Sequence, residues 1–179
     1  TISTINFEEK FNGIIFIINC YRNIIKKIPN SKLIISVKYS NTYYYNKLVN
    51  YIRQTKLREK IDLISNYEKV EELFHKSDLF LYASPENSTD SLPRVLIEAQ
   101  TTNIPIISTN TLGCPEIILN DELLVNYDEK KFTDRIFKIL ENYKRYIQKD
   151  TNMNKNLEKF SWKNMGIRYE KLFIKTLKK

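Results

Sequence analysis

Apolar residues recur along this chain with two different periods. Ile14, Ile17, Ile18, Tyr21, Ile24, Ile25 and Ile28 repeat at helical spacing and predict a helix over Gly13–Ile28, stopped by Pro29-Asn30. Lys32–Val37 is a near-continuous apolar run of the kind found in strands covered on both faces. The same alternation continues downstream. Strands are predicted at Ile2–Ile5, Ile61–Ile64, Leu79–Tyr82, Pro105–Ser108 and Glu122–Val125. Helices are predicted around Leu48 and Ile52, at Val70–Phe74, from Pro93, and over Phe132, Ile136, Ile139, Leu140, Tyr143 and Ile147. A last helix follows Ser161, a plausible N-cap, with Trp162, Met165, Tyr169, Leu172 and Thr176 on one face. Strands alternating with helices predict an α/β fold, a three-layer doubly wound, Rossmann-like parallel sheet with right-handed crossovers.

The 179 residues fit one domain with a sizeable core. No apolar run approaches the ~20 residues that span a bilayer, and no secretory leader is visible. Cys20 and Cys114 have no metal-ligand spacing and read as free, buried thiols of a reducing compartment. The net charge of +8 is compatible with nucleic acid, an anionic membrane or a phosphorylated ligand. The basic residues are dispersed, and no spacing of basic and aromatic residues typical of nucleic-acid binding is present.

The chemistry concentrates in Asp90-Ser-Leu-Pro-Arg-Val-Leu-Ile-Glu98-Ala-Gln. Pro93 suits the first turn of a helix, where its missing N–H costs nothing. Asp90 precedes that helix among unpaired N–H groups that attract anions such as a diphosphate. Glu98 falls about a turn and a half into the helix. Its neighbours Ile97 and Ala99 predict a buried setting in which an acid needs a partner. A carboxylate there can accept hydrogen bonds from the vicinal hydroxyls of a ribose. In open α/β sheets ligands lie outside the carboxyl ends of the strands, which is the side of this crossover. His75 reads as a surface residue of a helix.

This stretch, with Ser77–Pro85 before it and Gly113-Cys-Pro-Glu116 after it, resembles the donor-binding domain of retaining GT-B glycosyltransferases, family 4, the group 1 transferases. The family carries an acid, seven residues, Glu-Ala, then a Gly-x-Pro-Glu-like turn. Phe160-Ser-Trp162 followed by Tyr169 resembles its closing helix. The resemblance implies a domain over 1–179, with 155–179 as the closing carboxy-terminal helix and an amino-terminal acceptor domain absent. It implies that Glu98 binds the ribose, and that Asp90, or Glu86 four residues earlier, contacts the transferred sugar. Asp90 would also be the catalytic acid that stabilises charge at the anomeric carbon. Backbone groups of Ser91 and Leu92 are further sugar or phosphate contacts. Where the family places an Arg after the first strand and a Lys before the helix-starting Gly, this chain has Asn6 and Asn12. Lys10, Gly13 and Arg94 are the remaining phosphate-site candidates, and Ser65, Asn66 and Tyr67 lie where the base would sit.

The expected donor is a UDP-, GDP- or ADP-sugar, with no cofactor and no metal required. The expected acceptor is a glycan or lipid-linked sugar bound by the other domain, in polysaccharide, glycolipid or glycoprotein synthesis. The expected location is cytoplasmic, with a possible peripheral membrane contact and no nucleic acid. A non-catalytic nucleotide-binding or partner-scaffolding module is the alternative.

Overall fold

The computed structural model describes residues 2–4, 8–39, 42–88, 92–111, 113–147 and 157–177. Strands and helices alternate as β1 (Ile2–Thr4), α1 (Glu8–Lys27), β2 (Leu33–Lys38), α2 (Thr42–Gln54), β3 (Ile61–Ser65), α3 (Val70–His75), β4 (Phe80–Tyr82) and α4 (Arg94–Thr101). They continue as β5 (Ile106–Thr109), α5 (Cys114–Ile117), β6 (Leu124–Val125), α6 (Glu129–Glu141), α7 (Tyr143–Tyr146) and α8 (Trp162–Leu177).

Every recorded strand pairing is parallel. β2 lies between β1 and β3, and β5 lies between β4 and β6. The strands hydrogen-bond as two three-stranded parallel sheets, β1-β2-β3 and β4-β5-β6, the two halves of a doubly wound arrangement. Helix α1 packs against both β1 and β4 and so bridges the two halves.

The strands bury both faces. One apolar cluster joins Ile35, Val37, Leu81 and Ile107 to Ile14, Ile17 and Ile18 of α1 and to Phe132, Ile136 and Ile139 of α6. The other joins Phe80, Tyr82 and Ile106 to Leu96 and Ala99 of α4 and Ile117 of α5. Along β4, Leu81 faces one cluster and its neighbours the other, as the pleat requires. Helices therefore cover both sides of the strands, in the expected three layers.

Several boundaries differ from expectation; α4, for one, starts at Arg94 with Pro93 as its N-cap rather than inside its first turn. Helix α1 begins at Glu8, not Gly13; Glu8 and Glu9 fill its first turn, where carboxylates complement the helix dipole. The helix predicted through Ile147 breaks at Asn142, whose φ of −115° and ψ of 32° leave the helical region. β4 starts at Phe80 rather than Leu79, and β6 is only Leu124–Val125 because Asp121–Leu123 form a 3-10 turn. Two caps hold as expected from their residue types: Lys131 N–H donates to Asp128 Oδ1 at 2.9 Å, and Asn164 N–H to Ser161 Oγ at 3.2 Å. Along α8, Tyr169, Leu172, Phe173 and Leu177 are exposed, and Trp162 is 85% exposed. Among the described residues, no helix is long and apolar enough to cross a membrane.

Candidate functional site

Parallel strands put all their carboxyl ends on one edge, and the site is built there from α1 and the loops that follow β4 and β5. Gly13 sits in the second turn of α1, pressed onto the end of β4. A Cβ added at Gly13 would lie 2.1 Å from the Ala83 carbonyl oxygen. Glycine is needed for this approach, not for its backbone angles. Lys10 lies three residues earlier on the same side of the helix. Its Nζ donates to Tyr82 Oη at 3.2 Å and stands 5.6 Å from the centre of that ring. Partial burial pushes the Lys10 ammonium below the usual lysine range, against the opposing pull of Cys114 and Glu9. Burial likewise pushes the Tyr82 phenol up.

A second set of contacts joins the two strand ends. Ser84 N–H donates to Thr109 Oγ1 at 2.9 Å, and that hydroxyl donates on to Ser84 C=O at 3.1 Å. Thr109 Oγ1 also lies 3.5 Å from Thr111 Oγ1, and Thr111 Oγ1 lies 3.9 Å from Cys114 Sγ. Ser84 Oγ is buried beside the Tyr82 hydroxyl without completing a hydrogen bond. Polar groups this deep are expensive unless they are paired or used. A crowded polar seam thus closes an otherwise apolar pair of strands, where a doubly wound sheet receives its ligand.

The predicted residues divide. Lys10 and Gly13 meet the end of β4, as described. Asn12 is exposed and lies within α1, not ahead of it. Glu98 is exposed, so the expectation of a buried acid needing a protein partner is corrected. α4 buries Leu96, Ala99 and Gln100, and Glu98 points away from them. Arg94, the first residue of α4, is exposed, Leu92 is half-buried, and Glu86 is exposed in the turn after β4. Asp90, Ser91 and Asn6 lie outside the described residues.

At the end of β3, Asn66 adopts a left-handed φ of 52°. Its N–H donates to Val37 C=O at 2.8 Å, and its Oδ1 accepts from Tyr39 N–H at 3.2 Å. The Asn66 side chain therefore ties the loops after β2 and β3 together. Ser65 is exposed, and the Tyr67 hydroxyl donates to Glu72 at 2.8 Å. His75 is exposed at the end of α3, as its sequence context suggested. Cys20 and Cys114 are free and buried in different elements. A separate cavity of about 680 Å³ opens at the amino ends of β2 and β4, against Tyr21, Leu33, Leu79 and Leu140, on the edge opposite the site.

Sequence reasoning missed Tyr82, Ser84, Thr109 and Thr111. Their signal was present: polar side chains close two strands that are otherwise apolar, in Tyr82-Ala-Ser84 and Ser108-Thr109-Asn-Thr111.

Among known proteins, the family model described as glycosyl transferases group 1 matches residues 6–160. The uncharacterized glycosyltransferase MJ1059 of Methanocaldococcus jannaschii is 28% identical over 114 residues, which cover 60% of this chain and 27% of that protein. The crystal structure of TarM superimposes with a TM-score of 0.76 at 16% identity, over 96% of this chain and 34% of TarM. The carboxy-terminal domain of the group 1 transferase LpcC from Francisella tularensis gives 0.67 at 20% identity, over 88% of this chain and 83% of that domain. Anabaena HepE, solved with UDP and glucose, gives 0.71 at 14% identity, over 94% of this chain and 47% of HepE. At these identities the structural matches establish the fold. The chain spans about a quarter of the curated relative's length.

Proposed function

The chain belongs to the glycosyl transferases group 1 family, and from that premise we propose that it is the donor-binding half of a retaining glycosyltransferase. The donor is a nucleotide-sugar lying across the carboxyl ends of β1, β4 and β5. The observation that carries this reading is the close packing of α1 on β4 at Gly13, which brings Lys10 to the edge where a diphosphate would lie. Glu98, exposed on α4, is free of competing burial and accepts hydrogen bonds from the ribose hydroxyls. Asp90, with Glu86 as its alternative, contacts the sugar. The loop of Ser65, Asn66 and Tyr67 borders the base, and Arg94 and Leu92 lie toward the phosphates.

On this reading the acceptor hydroxyl bonds to the anomeric carbon on the face that the diphosphate leaves. The hydroxyl proton passes to a departing phosphate oxygen, so no protein base and no metal is required. Lys10 offsets the negative charge that builds on the leaving group. The acceptor, a glycan or lipid-linked sugar, is held by another part of the protein.

Calorimetric titration with UDP, GDP and ADP, repeated on Glu98→Ala, tests the donor site. Two neighbours were solved with UDP, which makes UDP the first nucleotide to try. Binding of one nucleotide, lost in the variant, is the expected result. Silence with all three would favour a partner-scaffolding module, the second reading, for which the exposed apolar face of α8 is the supporting feature.

A further inference from the structure

We propose that Tyr82 is a positioning residue for the nucleotide diphosphate: its hydroxyl accepts a hydrogen bond from Lys10 and holds the ammonium at the carboxyl edge of the sheet, directed at the phosphates. The inference rests on the donor-site reading above.

A lysine carries its charge on a flexible four-carbon stem, so an unanchored Lys10 would sample many positions. Tyr82 is a firm anchor. It is the last residue of β4, it is 4% exposed, and its ring packs in the cluster formed with Leu96, Ala99 and Ile117. The backbone is registered as well. One turn along α1, Gly13 meets Ala83, the residue after Tyr82. Residues 10 and 13 of the helix thus engage residues 82 and 83 of the strand, and both ends of the Lys10–Tyr82 contact are held.

A purely structural role accounts poorly for this choice of residues. Phenylalanine fills the same core space without a hydroxyl to bury, and a buried phenol needs a partner. One partner is a lysine whose charge is itself opposed by burial. Two groups that burial penalises are kept together at the edge where ligands bind, the usual setting of a functional pair.

The test is a double-mutant cycle on the 179-residue chain, read by calorimetry with UDP, or with GDP or ADP if one of these binds instead. Tyr82→Phe should weaken binding about fivefold to tenfold, the scale of one ordinary hydrogen bond, because its effect on the phosphates is indirect. Lys10→Met should weaken it at least tenfold. In the Lys10→Met background, Tyr82→Phe should change affinity less than about twofold, because its effect passes through Lys10. Equal losses in both backgrounds, or wild-type affinity in Tyr82→Phe, overturn the proposal. On the unaltered chain, the Lys10 ammonium resonance should shift when nucleotide is added; a resonance that stays fixed at saturation also overturns it. Failure of the unaltered chain to bind any nucleotide refutes the donor-site reading, and the inference falls with it. Binding with an inert Tyr82→Phe sinks the inference alone.

Discussion

Replacing Gly13 with alanine sets two known effects against each other. Inside a helix the change removes backbone freedom from the unfolded chain and is worth about 1 kcal/mol in favour of alanine. Here the new methyl would stand 2.1 Å from the Ala83 carbonyl oxygen and 3.1 Å from its carbon, where ordinary contact begins at 3.4 Å. The obstacle is backbone, so no side chain can rotate out of the way; α1 or the end of β4 must move by roughly an ångström. Overpacking of this kind costs ~3 kcal/mol at the upper end of its usual range. The clash exceeds the propensity gain, and Gly13→Ala should destabilise the chain by about 2 kcal/mol, or roughly 4–8 °C in Tm for a domain of this size. Urea unfolding followed by circular dichroism would measure it, with an unchanged m-value confirming comparable unfolding. Gly166 is the internal control: it lies in α8 with nothing within 4 Å of an added Cβ. Gly166→Ala should therefore stabilise by up to about 1 kcal/mol. A Gly13→Ala variant at least as stable as the parent would refute the close approach of α1 to β4.

Three further substitutions or conditions address other parts of the site. Thr109→Val leaves the buried Ser84 N–H and C=O without their shared hydroxyl and should cost ~2–3 kcal/mol, whereas Thr109→Ser should stay within about 1 kcal/mol of the parent; equal denaturation midpoints for the two variants would exclude that role. Glu98→Gln, at an exposed position, should leave stability within ~0.5 kcal/mol while weakening nucleotide binding, and calorimetry beside a melting curve separates the two. Burial pushes the Cys20 thiol up from 9.0 to about 12 and the Tyr127 phenol up from 10.0 to about 12. Both groups stay protonated in the folded chain at pH values where the unfolded chain has ionised, so their stabilisation is full below about pH 9 and is lost as pH rises toward 12. An unfolding midpoint that stays constant from about pH 8 to about pH 11 would contradict this.

The parts of the fold legible in the sequence are those governed by local period. The run Leu33–Val37 reads as a doubly covered strand because Leu33, Ile35, Ser36 and Val37 are all buried. Ile14, Ile17, Ile18, Tyr21 and Ile24 read as a helix face because helical spacing brings them onto one side. The start of α1 was misread because glycine is a poor helix former, and its reason for being there lies on Ala83, seventy positions away in the chain. Glu98 was misread by proximity in sequence. In a helix adjacent residues point about 100° away, so the half-buried Ile97 and the buried Ala99 do not bury it. The pairing of Thr109 with Ser84, like that of Lys10 with Tyr82, spans loops whose meeting depends on the finished topology, and no local pattern announces it.

The site separates what holds it from what would bind. Gly13, Ala83, Ser84 and Thr109 are buried and locked by backbone contacts and buried hydrogen bonds. Glu98 is exposed, and Lys10 is only partly covered. A change in the first group should therefore act on stability and binding together, because it moves the frame. A change at Glu98 should act on binding alone. Lys10 stands between, since burial already opposes its charge. Lys10→Met removes a charge that burial opposes but also takes a hydrogen-bond partner from the buried Tyr82 hydroxyl, so the stability of the ligand-free chain should move little while the cation that a diphosphate needs is lost. A charge kept against burial at a ligand edge is what a binding site predicts and what a scaffold has no use for.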